Sequence, residues 1–226
     1  MRLFILSLFC VFISAQNVFA GNFNYVDAAT ISPEFLTPPL KPNTPELQAE
    51  AEEIIKLQAN VTEAQIKEAN VEAHLSPTHV FSAINSVADQ DIASKFPNTH
   101  KLIEKVYSDC RDTYNLSKEY WKTERPYQVN DKIKALVEKP ISKAYPSGHT
   151  ACSRVLAEVL GQILPAKRAE LRERAAEIAN NRIISGVHWP HDIEGGVETA
   201  LLFFGALQQS SAYQADLKAA ITENIN

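Results

Sequence analysis

Tyr145-Pro146-Ser147-Gly148-His149-Thr150 runs directly into an apolar stripe of helical period, Cys152, Val155, Leu156, Val159, Leu160 and Ile163. Proline and glycine end whatever precedes the stretch, and Ser147 is suited to cap the helix that follows. The N–H groups of Gly148, His149 and Thr150 would then point outward unpaired, the arrangement that binds anions. His149 shares the inward face with Cys152, Leu156 and Val159. The reading is an anion site, of the phosphate kind, with a proton donor in its first turn.

Helix starts recur on either side. Thr44-Pro45-Glu46 caps a helix with Leu47, Ala51, Ile54 and Ile55 on one face, and Thr62-x-x-Gln65 forms a capping box. Ser76-Pro77 opens a third helix carrying Val80, Ile84 and Val87. From about Asn98 a longer one carries Leu102, Ile103, Val106, Tyr107, Cys110 and Tyr114 until Pro126 stops it, and residues 131–137 have the length of a short helix. After Leu164, Pro165 starts a helix with Leu171, Ala175 and Ile178 inside. Gly186 breaks it, and Pro190 starts a last core helix with Ile193, Val197, Ala200, Leu201 and Phe204. No stretch alternates with period two for long enough to make a strand. The fold class is all-α, a helical bundle.

Residues 1–20 have the form of a secretory signal: Arg2, then twelve residues from Leu3 to Ser14, then Val18-Phe19-Ala20 at the cleavage position. Twelve residues are too few to span a bilayer, and no later apolar run exceeds the eight from Ala200 to Leu207. The expectation is a periplasmic or secreted protein without a transmembrane segment. Residues 21–45 hold five prolines and form an extended arm, leaving residues 46–226 as a single helical domain. Removing residues 1–20 takes one of the 22 Lys+Arg and none of the 27 Asp+Glu, leaving a balance of −6. That balance argues against nucleic acid as a partner. Cys110 and Cys152 remain. Joined, they would close a loop of about 40 residues worth roughly 3–4 kcal/mol; unjoined, each packs as a small hydrophobe.

Three cations continue apolar stripes where a leucine belongs. Lys118 follows Cys110 and Tyr114 at helical spacing, Arg125 comes seven residues later on the same face if the helix lasts that far, and Arg182 follows Leu171, Ala175 and Ile178. Buried unpaired cations cost several kcal/mol, so something anionic must meet them. Structural ion pairs with Glu119, Glu124, Asp131 or Asp192 would serve, as would side chains that snorkel to water. A tetrahedral dianion held by Lys118, Arg125 and Arg182 would serve as well. His188 stands in the break after Gly186, and Asp192, four residues on, is placed to orient its ring as a nucleophile. His191 adds a second possibility, because His188-x-x-His191-Asp192 resembles the ligand pattern of metal-dependent HD phosphohydrolases. His74, His79 and His100 fall on surface positions.

Lys118-x6-Arg125-Pro126, Pro146-Ser147-Gly148-His149 and Arg182-x5-His188-x3-Asp192 together resemble the three-part signature of the type 2 phosphatidic acid phosphatase and vanadium haloperoxidase superfamily. Within it the chain resembles the exported class A non-specific acid phosphatases of bacteria. The resemblance implies a metal-independent acid phosphatase acting on phosphate monoesters, lipid phosphates among the candidates, and needing no cofactor. It implies that His188 becomes a phosphohistidine with Asp192 orienting it, and that His149 protonates the leaving oxygen. Lys118, Arg125, Ser147, Gly148 and Arg182 would hold the equatorial oxygens. A bell-shaped pH dependence with an acidic optimum follows from those roles, and an association of like subunits is common in that group. Asn181 stands where the pattern usually has serine, and Lys143-Ala144 where it has small residues. Tyr120, Trp121, Tyr127 and Trp189 are candidates for the pocket mouth. The alternatives are the HD-type metal phosphohydrolase on His188, His191 and Asp192, a vanadium haloperoxidase, and a non-catalytic phosphate- or phospholipid-binding protein.

Overall fold

The computed structural model describes residues 23–74 and 91–223. The signal sequence, the helix at Ser76 and His79 lie outside the described residues. The helices are α1 (Pro45–Ala59), α2 (Glu63–Val71), α3 (Ile92–Lys95), α4 (Pro97–Trp121), α5 (Pro126–Val129), α6 (Gly148–Ile163), α7 (Arg168–Ile184), α8 (Pro190–Gln209) and α9 (Ser211–Ile221). Among the described residues there is no strand, so the all-α class holds. Both expected caps are present: the Thr44 side chain accepts from the Leu47 N–H, and Thr62 and Gln65 close their box reciprocally.

At the centre lies α6, packed against α4, α7 and α8. Its stripe was read as one face, yet nearly the whole helix is buried, including Ala151, Ala157 and Gly161. A helix apolar on all sides needs neighbours on all sides. The main core joins its Val155, Leu156 and Val159 to Leu102, Val106 and Cys110 of α4, Leu171 of α7, Phe203 of α8 and Tyr213 of α9. Cys110 and Cys152 are buried free thiols, their sulfurs 3.1 Å apart.

Four local expectations are corrected. The long helix ends at Trp121 rather than near Pro126, because Lys122 takes a left-handed conformation (φ 53°). Arg125 therefore stands off it, just before α5. Residues 131–137 form no helix, since the Lys134 N–H is bound by Gln58 Oε1 and the Leu136 N–H by the Ser185 carbonyl. The inner face of α8 is turned from the one expected. Gly195, Gly196, Thr199, Ala200, Phe203 and Leu207 are buried, while Leu201 is 63% exposed. The cause is close approach: a Cβ on Gly196 would sit 2.7 Å from the Ser147 carbonyl, so α8 presents its small residues to α6. Finally α9, capped by Ser210 and buried through Tyr213, Leu217 and Ala220, follows α8 where no helix was expected.

The proline-rich arm lies on the bundle and buries Tyr25, Val26, Ile31 and Leu36. One carboxylate anchors it. Asp109, on the arm-facing side of α4 and 2% exposed, accepts from the backbone N–H groups of Asn24 (2.9 Å), Tyr25 (2.6 Å) and Val26 (3.0 Å). Charge-assisted bonds of this kind are each worth about 1.5–3 kcal/mol, and leaving such donors unpaired costs a similar amount. Asp109→Ala is expected to destabilise the protein by about 3 kcal/mol, lowering the urea midpoint and exposing the arm to protease. An unchanged midpoint would show that the arm's other contacts, among them the Thr37 N–H on Glu198 at 2.7 Å, suffice to hold it.

Candidate active site

The three blocks of sequence meet at one cavity of about 340 Å³, lined by Tyr114, Lys118, Arg125, Gly148, His149, Arg182 and His188 among others. Ser147 and Asp192 are buried and do not line it, Asp192 reaching it through its bond to His188. α4 delivers Lys118, the turn before α5 delivers Arg125, the start of α6 brings Ser147, Gly148 and His149, and the end of α7 carries Arg182. Lys118, Arg125 and Arg182 are 3%, 2% and 1% exposed, so they do not snorkel to water.

Carbonyls, not carboxylates, meet most of this charge. Lys118 Nζ donates to the carbonyls of Lys143 (2.6 Å) and Ala144 (2.7 Å). Arg125 donates to the carbonyls of Ser142 (3.0 Å), Val187 (2.6 Å) and Lys143 (3.1 Å). Arg182 Nη2 donates to the Ala69 carbonyl (2.6 Å) and lies 3.6 Å from Glu72. Arg182 Nε, although buried, has no acceptor among the described residues. None of the expected pairings with Glu119, Glu124 or Asp131 is found for these cations. Asp192 bears on Lys118 and Arg125 through space. Burial lowers the Lys118 pKa, with Arg125 adding to the fall, and brings that of Arg182 down to about 10, opposed by Glu72.

At the start of α6, Ser147 Oγ accepts from the Thr150 N–H (3.3 Å), as an N-cap should. The Ser147 N–H donates to the Asp192 carbonyl at 2.9 Å, tying α6 to the first turn of α8. Gly148 must be glycine, because a Cβ there would stand 2.8 Å from the Tyr114 ring.

The two imidazoles are held differently. His188 Nδ1 donates to Asp192 Oδ2 at 3.0 Å, and the same oxygen takes the Trp189 N–H at 2.9 Å. Arg125 Nη1 lies 3.3 Å from His188 Nε2. A guanidinium can only donate, so that contact and the Asp192 bond define a ring with its proton on Nδ1 and a lone pair on Nε2. His149 Nε2 lies 3.0 Å from the Glu72 carbonyl, an acceptor, so Nε2 carries a proton and Nδ1 is the nitrogen left for chemistry. Burial lowers both histidine pKa values well below the usual range. Arg182 acts next on His149, Arg125 and Lys118 next on His188. Burial pushes Asp192 up to about 6, with His191, the Trp189 N–H and the two cations pulling the other way. For His188, burial among cations outweighs the nearby Asp192 carboxylate.

His191 is turned away from the cavity. Its Nδ1 meets Glu50 at 2.6 Å and its ring stacks between Tyr145 and Trp189. Among the described residues no cluster of three or more His, Cys, Asp or Glu could hold a metal ion, so the pairing of His191 is with Glu50 rather than with His188. Asn181 donates from its amide to Glu72 Oε2 at 2.9 Å, away from the cavity. Of the aromatic residues considered for the mouth, Tyr120, Trp121, Tyr127 and Trp189 line none of it. The rim is formed by Val137, Glu138, Lys139, Pro140 and Ile141, and Ala73 and His74 also line the cavity. His74 is exposed but borders the cavity, and His100 faces Glu104 at 3.8 Å. Reading the sequence missed Tyr114 and Glu72. The apolar stripe of α4 already contained Tyr114, but nothing local marked Glu72.

Residues 110–215 match the family described as the PAP2 superfamily. The chain is similar to the non-specific acid phosphatase of Salmonella typhi, 30% identical over 220 residues that make up 89% of this chain and 87% of that protein. It is also similar to the enzyme of the same description from Salmonella typhimurium, 28% identical over 199 residues, 85% of this chain and 79% of that one. Among solved structures it is similar to a bacterial vanadium-dependent iodoperoxidase (TM-score 0.60, 20% identity, 77% of this chain and 53% of the peroxidase). It is likewise similar to a transmembrane PAP2-type phosphatidylglycerolphosphate phosphatase from Bacillus subtilis (TM-score 0.53, 20% identity, 74% of this chain and 86% of that one). At such identities the structures establish a common fold and nothing more. No described helix is long and apolar enough to cross a membrane. The matched family region and the similarity along most of the chain agree with the convergence of three separate motifs on one cavity: the chain belongs to the PAP2 superfamily.

Proposed function

We propose that this acid phosphatase of the PAP2 superfamily hydrolyses phosphate monoesters through a phosphohistidine on His188, without a metal ion. The observation that carries the reading is the His188 ring itself. Its Nε2 lone pair stands beside Arg125 at 3.3 Å while Nδ1 is held by Asp192 at 3.0 Å. In the first step Nε2 attacks phosphorus, the P–O bond to the leaving group breaks, and the departing oxygen takes a proton from His149. In the second, His149 takes a proton from water, the hydroxide attacks phosphorus, and the P–N bond breaks to release orthophosphate. Lys118, Arg125, Arg182 and the N–H groups of Gly148 and His149 stabilise the equatorial oxygens, the positioning and charge stabilisation that phosphoryl transfer chiefly requires. Residues 1–20 act as an export signal, and the domain works in the periplasm or outside the cell as a monomer or an assembly of like subunits.

Three cations in one cavity supply the charge a metal would otherwise bring, so excess chelator is expected to leave the rate within about two-fold. His188→Ala should lose activity by on the order of 10³-fold or more. Rapid quenching with a labelled ester should trap phosphate on His188 in the native protein. Loss of activity on chelation, or label on no histidine, would overturn the mechanism.

The pH dependence follows from the charges. In the free protein the His149 pKa is depressed, so His149 is neutral at and above the ordinary histidine range and carries its proton only in acid. A bound phosphate dianion adds negative charge beside it and raises that pKa. The alkaline limb of kcat/KM is therefore expected below about pH 6.5, and that of kcat at higher pH. The acid limb belongs to His188 and Asp192 titrating as a pair. His149→Ala should cost on the order of 10²–10⁴ in rate, least for esters with good leaving groups such as nitrophenol. Coincident alkaline limbs, or an equal loss for all leaving groups, would refute the role given to His149.

A further inference from the structure

Glu72 follows the last turn of α2, more than forty residues before the first of the three motifs, and is 3% exposed. Its carboxylate meets three side chains of α7. Oε1 is 2.5 Å from Arg174 Nη2, Oε2 accepts from the Asn181 amide at 2.9 Å, and Arg182 Nη2 is 3.6 Å from Oε2. Its backbone carbonyl accepts from His149 Nε2 at 3.0 Å. The adjacent turn adds the Ala69 carbonyl, bound to the same Arg182 Nη2. One residue thus touches an anion-binding arginine with its side chain and the proton-donating histidine with its backbone.

We propose that Glu72 is a positioning residue for this reaction: its carboxylate, clasped by Arg174 and Asn181, aims Arg182 at the phosphate, and the backbone it pins down turns Nδ1 of His149 toward the leaving oxygen. Stability alone is a poor account of it. Desolvating a carboxylate costs several kcal/mol, and apolar packing of similar volume serves stability as well or better. The carboxylate offsets the arginine's charge only in part: the ion pair at 3.6 Å opposes the effect of burial on Arg182 but makes no hydrogen bond to Nη2, and Nε of Arg182 has no acceptor among the described residues. The guanidinium is restrained yet open to an anion. Asn181 has a part in this arrangement: where the family pattern usually has serine, this chain has an amide that reaches the carboxylate.

The proposal rests on the phosphatase reading above, and its test separates the two. Orthophosphate binding to Glu72→Gln is measured by calorimetry, with kcat and KM for a nitrophenyl ester and an alkyl ester and the melting temperature alongside. Glu72→Gln is expected to weaken orthophosphate binding about ten-fold and to lower kcat/KM by about 10- to 100-fold, the scale of a small misplacement at a reacting centre. The loss should be larger for the alkyl ester, whose departure depends on His149. Where that variant does not fold, Arg174→Gln, which releases the same carboxylate from its outer side, is read in the same way with a smaller loss of at least about three-fold. Orthophosphate affinity within two-fold of the native protein, or equal losses on the two esters, would overturn the proposal. Failure to find label on His188 in the native protein would sink the phosphohistidine mechanism instead, and the orthophosphate affinities would still decide the role of Glu72.

Discussion

Concentrating buried positive charge while neutralising it only in part is the constraint on which this structure turns. Isolated cations out of water cost several kcal/mol each, and pairing each with a carboxylate would cancel the field an anion needs. The chain instead surrounds Lys118 and Arg125 with carbonyls from residues 142–144 and 187, and Arg182 with that of Ala69. Carbonyl dipoles satisfy the donors but carry no net charge. Two buried carboxylates, Asp192 and Glu72, act on these cations through space, but their hydrogen bonds go to the His188 and Trp189 N–H groups and to Arg174 and Asn181. Burial, with the cations adding to it, lowers the pKa values of both imidazoles and so favours their neutral forms.

Around that charge the bundle serves as a frame. α6 is buried on nearly every side, so its first turn cannot drift, and the Ser147 N–H bond to the Asp192 carbonyl couples it to α8, whose Asp192 holds the His188 ring. The small residues of α8 allow the approach. The arm completes the frame from outside. Asp109 holds its beginning, and the Tyr145 hydroxyl, within the motif stretch itself, donates to the Thr37 carbonyl farther along it. Packing and chemistry are therefore connected through the same few backbone groups.

Much of this was legible because depth on a helix is periodic. A lysine or arginine at a leucine's place in the stripe has to be buried, and Lys118 and Arg182 are. Arg125 reaches the cavity by a different route from the one its spacing suggested, since the helix stops at Trp121 and a turn carries the residue in. The inner face of α8 was misjudged for a related reason. By period alone large apolar residues mark the core, but at a close helix crossing glycine and threonine lie inside and Leu201 is left out. The aromatics considered for the mouth pack elsewhere, and residues 137–141 form the rim.

By itself the sequence determined the helical class, the helix starts and which residue types carry chemistry, because caps, prolines and apolar period are set by neighbours within a turn or two. Tertiary structure alone decided what solvates each cation, which nitrogen of each imidazole is free, that His191 belongs to Glu50, and that Glu72 joins the site. Those choices depend on groups far apart in the chain, 77 residues from Glu72 to His149 and 141 from Glu50 to His191, whose meeting leaves no local pattern to read.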